Sequence, residues 1–185
     1  KVYFCPSITW SGEMYKKKSF FIVFEGIEGS GKTYQSRKLY KNLKKNGLSS
    51  ILTREPGGTK SAERIRKIIL DDYFHTDFKK QFKKYTDTLL YLAARNEHVE
   101  NKIKPAILKK KIVLCDRFID STLAYQVYGK GVDRKFVDFE IEAETKCMLK
   151  NYLFIMAKIV ANPFEKNDYY EARVDNYETP LKRSK

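Results

Sequence analysis

Five consecutive apolar residues, FFIVF at 20–24, stand out from a polar surround and end just before Gly26. A run of that length without alternation fits a strand buried on both faces. Beyond the glycines, Leu39 and Leu43 recur four apart with Tyr40 adjacent. That spacing predicts a helix over 31–46, stopped by Asn46 and Gly47. SSILTRE at 49–55 predicts a second short strand, closed by Pro56, Gly57 and Gly58. Ala62, Ile65, Ile68 and Ile69 then recur at helical spacing, and either Thr59 or Ser61 can cap that helix. A longer helical pattern covers 86–110, with a bend expected near Pro105. KIVLCD at 111–116 predicts a third buried strand, 133–149 an amphipathic helix, and NYLFIM at 151–156 a fourth strand. Strands alternating with helices predict an α/β fold, a parallel sheet between two helical layers. After Met156 the periodicity is lost and no further strand is expected.

Composition changes this picture little. The 185 residues suit one domain, read as 14–185, with 1–13 as an N-terminal extension before Met14. No apolar run approaches the roughly 18–20 residues of a membrane helix. The N-terminal stretch lacks the apolar segment of a signal peptide. Cys5, Cys115 and Cys147 are scattered and odd in number, which favours neither a disulfide framework nor a zinc site. The cytoplasm is therefore the expected location. The net charge of +14 raises the question of nucleic acid. However, 28 of the 37 basic residues are Lys and they are spread along the chain. That distribution favours a solvated surface, or a field suited to anionic substrates, over a dedicated nucleic-acid face.

The chemistry begins after the first strand. Gly26, Ile27, Glu28, Gly29, Ser30, Gly31, Lys32 and Thr33 match G-x-x-x-x-G-K-[ST]. Glycines let the backbone curl so that successive N–H groups face phosphate oxygens. The following helix adds its positive N-terminal end. Lys32 is expected to reach the β- and γ-phosphates, and the Thr33 hydroxyl to ligate Mg²⁺. The bound nucleotide is expected to be ATP. An ATPase, a GTPase and a small-molecule kinase share such a loop, and no guanine-reading N-K-x-D is present. Asp116 ends an apolar strand as a metal-orienting carboxylate does, or it caps the next helix. Arg54 and Arg117 follow strands at the edge where open α/β sheets bind ligands. Two arginines there can grip a monophosphate with forked hydrogen bonds. Tyr91 and Arg95 lie four apart, on one helix face.

Three further stretches, TREPGGT (53–59), LLYLAARNEH (89–98) and CDRFIDSTLAYQ (115–126), accompany FEGIEGSGKT. In this order and spacing, over roughly residues 18–155, they closely resemble bacterial thymidylate kinase. The resemblance implies a nucleoside monophosphate kinase of the P-loop fold that phosphorylates dTMP with ATP and Mg²⁺, working as a homodimer. It implies that Arg54 and Arg117 contact the dTMP phosphate, that Tyr91 stacks on thymine, and that Arg95 hydrogen-bonds its edge. Tyr125 would lie under the sugar, Ser121 and Gln126 would line the base pocket, and Glu28 would approach the 3′-OH. Lys32, Arg117 and Asp116 would carry catalysis, with Thr33 and Asp116 at the metal. His75 and His98 are not required as catalysts. Some relatives carry a catalytic arginine inside the P-loop, where this chain has Gly29; others take basic residues from a lid after the fourth strand. Lys158, Lys166 and Arg173 are the nearest such residues here, outside any lid motif, so 157–185 reads as a divergent or incomplete lid and C-terminal region. Another monophosphate kinase, or a nucleotide-binding protein with impaired catalysis, is the alternative.

Overall fold

The computed structural model of the protein describes residues 19–139, 141, 153–160 and 169–175. Strand β1 (Phe20–Glu25) is the centre of a five-stranded sheet. On one side it pairs in parallel with β3 (Ile112–Asp116), and β3 pairs in parallel with β2 (Ser50–Arg54). On the other side it pairs in parallel with β4 (Leu153–Val160), and β5 (Tyr169–Asp175) closes that edge. The register sets Phe24 and Arg54 opposite Asp116, so three strands end at one edge.

The unbroken apolar run of β1 has a direct cause. Phe20, Ile22 and Phe24 pack with Leu39, Tyr40 and Leu43 of helix α1 (Lys32–Lys45). Phe21 and Val23 pack on the other face against Val99, Ile103, Ala106 and Ile107. Helices thus cover both faces, as the sequence predicts, and each face is sealed by alternate residues of one strand. Thr59 rather than Ser61 caps helix α2 (Lys60–His75), its side chain accepting from the Ala62 N–H at 3.1 Å.

Three expectations are modified. The helix over 86–110 is α3 (Lys84–His98), a π-helical stretch at Val99–Ile103, and α4 (Lys104–Leu108). The irregularity lies just before Pro105, which has no N–H for the carbonyl of Asn101 and crowds it. The fourth strand extends past Met156 to Val160. A fifth strand follows, which the sequence reading did not expect, and it is antiparallel to β4. Only residues 161–168 join the two, and a parallel crossover needs about a dozen residues or more. The charged residues of YYEARVD concealed its alternation. The helix expected over 133–149 is helical at 134–139 and 141; its remainder, residues 1–13 and Lys166 lie outside the described residues.

Candidate active site

The chain leaves β1 at Glu25, curls, and enters α1 at Lys32 with Gly31 at φ +83 as its N-cap. A side chain at Gly31 would meet no neighbour within 4 Å, so the demand for glycine is conformational. Lys32 lies across its own loop, its Nζ donating to the Ile27 carbonyl at 2.6 Å and to Ser30 Oγ at 3.3 Å. Burial, then the nearby Arg117 charge, lower the Lys32 pKa from its ordinary value. The Thr33 hydroxyl donates to Asp116 Oδ2 at 2.5 Å, joining the start of α1 to the end of β3. Two hard oxygen donors at a phosphate loop fit Mg²⁺, which completes its shell with substrate phosphates and water. Among the described residues no cluster of three or more His, Cys, Asp or Glu offers a protein-only metal cage.

A cleft of about 1070 Å³ runs from this loop across the strand ends. Glu28, Gly29, Gly31, Lys32, Thr33 and Asp116 line it, while Ile27 and Ser30 turn into the loop's internal bonds and the Gly26 carbonyl accepts from the Arg117 guanidinium at 3.5 Å. All of the residues expected on the acceptor side also line it: Glu28, Arg54, Tyr91, Arg95, Arg117, Ser121, Tyr125 and Gln126.

Arg117 stands just beyond β3 at φ +71. A non-glycine residue there costs about 1–3 kcal/mol and persists only when its surroundings over-determine it. Its backbone N–H donates to the Phe24 carbonyl at 2.9 Å and its guanidinium to Ser121 Oγ at 3.0 Å. The guanidinium also lies over the Tyr125 ring, 5.4 Å from its centre. Arg54 pairs with Glu63 at 3.0 Å, and Glu63 accepts from the Gly58 N–H as well. Burial opposes ionisation of Glu63, but the bonds from Arg54 and Gly58 outweigh it and lower the carboxyl pKa.

Two further arginines that line the cleft, Arg37 and Arg66, escaped the sequence reading. Arg66 of α2 donates to the Pro56 carbonyl at 3.0 Å. Burial, then the charge of Arg54, pull its pKa down. A signal was present: Arg66 falls between Ala62 and Ile69 on the buried stripe of α2, where a cation is out of place.

At the far wall, buried Arg95 donates Nε to Glu55 Oε2 at 2.8 Å and Nη2 to the Phe118 carbonyl at 3.0 Å and Thr122 Oγ1 at 2.6 Å. Its Nη1 is buried and has no partner among the described residues. Glu55 also meets His98 Nδ1 at 3.1 Å, and His98 Nε2 meets Thr53 Oγ1 at 2.6 Å. His98 is fully buried in this cluster, a structural place away from the cleft wall. Tyr91 also lines the cleft; burial, then Asp87, raise its phenol pKa. Gln126 is buried and donates to Asp87 at 3.3 Å, and Asp87 pairs with Lys130 at 2.8 Å. Ser121, expected in the base pocket, directs its hydroxyl to Glu25 at 2.6 Å; the hydroxyl beside Arg95 belongs to Thr122. Tyr125 is half exposed over the cleft.

The arrangement can hold a nucleotide's phosphates at one end, a second anion among three arginines, and a planar base against Tyr91 and Arg95. Known proteins resemble the chain that carries it. A family model described as thymidylate kinase matches residues 24–166. A thymidylate kinase of Pelotomaculum thermopropionicum is 48% identical over 121 residues, covering 65% of this chain and 54% of that one. One of Sulfurihydrogenibium is 43% identical over 137 residues, covering 74% and 65%. The crystal structure of thymidylate kinase from Ehrlichia chaffeensis superposes with a TM-score of 0.59 at 43% identity, covering 68% of this chain and 69% of that one. The chain spans about half the length of several of the curated relatives it matches. With the phosphate loop, the strand-end arginines and the Tyr91–Arg95 wall all inside the matched segment, the chain belongs to the thymidylate kinase family.

Proposed function

We propose that the protein transfers the γ-phosphoryl group of ATP to the 5′-phosphate of dTMP, giving ADP and dTDP. The observation that carries this reading is one cleft that joins the Lys32–Thr33 phosphate loop to a buried Arg95 whose Nη1 donor has no partner among the described residues. A buried donor without a partner costs about 1–3 kcal/mol until something accepts from it. Thymine O4 is such an acceptor, whereas cytosine presents an amine at the same place. Tyr91 supplies the stacking surface and Tyr125 the floor beneath the sugar. Arg54, Arg66 and Arg117 hold the acceptor phosphate. That phosphate is itself a competent nucleophile, so the protein contributes position and charge neutralisation rather than a strong base. Lys32 turns from its own loop carbonyl to the transferring phosphoryl group, and Arg117 sits between donor and acceptor. Thr33 and Asp116 would hold Mg²⁺, which when bound neutralises phosphate charge.

Among the described residues no helix is long and apolar enough to cross a membrane. We infer a cytoplasmic enzyme acting on free nucleotides, with residues 14–185 as one kinase domain working as a homodimer. Lys158 lies on β4, opposite Glu25, and Arg173 on β5. Coupled ADP release with ATP, Mg²⁺ and dTMP tests the proposal. Turnover should require dTMP and fall by about 10²–10³-fold in Lys32→Ala, the usual loss of a charge-stabilising donor. Detectable dTMP binding without turnover would overturn the kinase reading in favour of a nucleotide-binding protein. Equal turnover with CMP or AMP would point to another monophosphate kinase.

A further inference from the structure

Glu25 is the last residue of β1, directly before the phosphate loop, and it is 4% exposed. Its carboxylate accepts three hydrogen bonds, all from the segment that follows Arg117. Oε1 takes the Phe118 N–H at 2.6 Å and the Ser121 N–H at 3.3 Å, and Oε2 takes the Ser121 hydroxyl at 2.6 Å. The same hydroxyl oxygen accepts from the Arg117 guanidinium at 3.0 Å. One residue earlier, the Phe24 carbonyl accepts from the Arg117 backbone N–H. Two successive residues of β1 therefore hold Arg117 from behind, at its backbone and, through Ser121, at its charged end. This is the over-determination that a left-handed arginine requires.

The arrangement is costly as packing. Burial raises the Glu25 pKa above its ordinary value, and the bonds from Ser121 and Phe118 offset that only in part. Asp120 nearby adds to the cost, and the charge of Lys32 lies within electrostatic range on the loop side. A neutral acceptor would satisfy the Phe118 N–H without burying a charge. A carboxylate differs in one respect: it accepts at both oxygens, so the Ser121 hydrogen must point to Glu25 and a lone pair must face Arg117. An amide in its place donates to Ser121 and turns that hydrogen toward the guanidinium.

We propose that Glu25 is a positioning residue for Arg117, fixing its turn through the Phe118 N–H and its guanidinium through Ser121, and so coupling the acceptor-phosphate arginine to the strand that ends in the ATP loop. The proposal rests on the reading of Arg117 as a ligand of the acceptor phosphate. It is tested by calorimetric binding of dTMP and of thymidine, whose affinity ratio isolates the phosphate contribution. The variants are Glu25→Gln, Ser121→Ala, Arg117→Ala and the Glu25→Gln/Arg117→Ala pair, with thermal melts of each. Arg117→Ala should cut the ratio by about tenfold or more, as loss of a charge-assisted contact does. Glu25→Gln should cut it by about 3–10-fold with thymidine affinity unchanged, and should add little in the double variant. Ser121→Ala keeps the carboxylate, changes the same ratio in the same direction, and serves should Glu25→Gln fail to fold. An unchanged ratio in Glu25→Gln or, should that variant fail to fold, in Ser121→Ala overturns the proposal. So does an equal loss of dTMP and thymidine binding, the mark of a merely structural carboxylate. A ratio near one in the unaltered protein would instead remove the acceptor-phosphate reading, and the proposal with it.

Discussion

Replacing Glu55 by alanine strips Arg95 of its carboxylate and His98 of a hydrogen-bond partner in one step. The pair is nearly dry, with side chains 3% and 5% exposed and Nε 2.8 Å from Oε2. At an effective dielectric of about 20, two unit charges at that separation attract by about 6 kcal/mol. Desolvation of both groups cancels much of this, so the pair's net worth against an apolar pair is small. Truncating one partner is different. The guanidinium stays buried, with only the neutral Phe118 carbonyl and Thr122 hydroxyl to accept from it. Stranded buried charges cost about 3–5 kcal/mol. With a urea slope of about 2 kcal/mol/M, the unfolding midpoint of Glu55→Ala should fall by about 1.5–2.5 M, read by circular dichroism. The double variant Glu55→Leu/Arg95→Met removes both charges and should recover part of the loss. About 1–3 kcal/mol should remain missing, because His98 Nδ1 has lost its partner. A midpoint change in Glu55→Ala worth less than about 1 kcal/mol, or a double variant no better than the single one, would refute the claim that Glu55 neutralises a buried Arg95.

Three other outcomes are expected. In Gly58→Ala the new methyl would sit 2.4 Å from the His98 ring and 2.6 Å from Thr53 Oγ1, at a φ of +93. Backbone strain and overpacking together should cost about 2–5 kcal/mol in thermal unfolding, and a change under about 1 kcal/mol would contradict this geometry. Tyr91 is held protonated by burial and by Asp87. Its contribution to stability is thus full below the ordinary tyrosine value of about 10 and is lost as pH rises through its elevated value. Denaturation between pH 9 and 12 should show a steeper alkaline loss in the unaltered protein than in Tyr91→Phe. Asp116→Asn leaves an amide oxygen for the Thr33 hydroxyl but removes the carboxylate charge and one of its two oxygens. It should raise the Mg²⁺ concentration for half-maximal turnover by about 10–100-fold, and an unchanged Mg²⁺ titration would dissociate this pair from the metal.

Much of the site was legible because its parts are local. The phosphate loop is a contiguous pattern between a strand and a helix. Arg54, Asp116 and Arg117 were visible because apolar runs mark strand ends, and a parallel sheet must bring those ends to one edge. Helical spacing put Tyr91 and Arg95 on one face, but only the resemblance singled them out, since an aromatic at that spacing alone reads as core. Gly57 and Gly58 read as a turn, but nothing local showed that Gly58 leaves room for the ring of His98.

What the chain determined by itself, then, was the order of its elements, the cradle for phosphate and the family to which it belongs, since windows of a few to about twenty residues carry those signals. Tertiary structure alone decided which charges are buried and what they hold. Glu25 meets Ser121 across 96 positions, and Glu55 meets Arg95 across 40 and His98 across 43. In a sequence a carboxylate at the end of a strand reads as a surface charge. Whether it is one depends on elements distant along the chain that fold over it and supply its hydrogen bonds. The direction of β5 depended likewise on the short connection from β4 and on the open edge that β4 offered, not on the residues of β5.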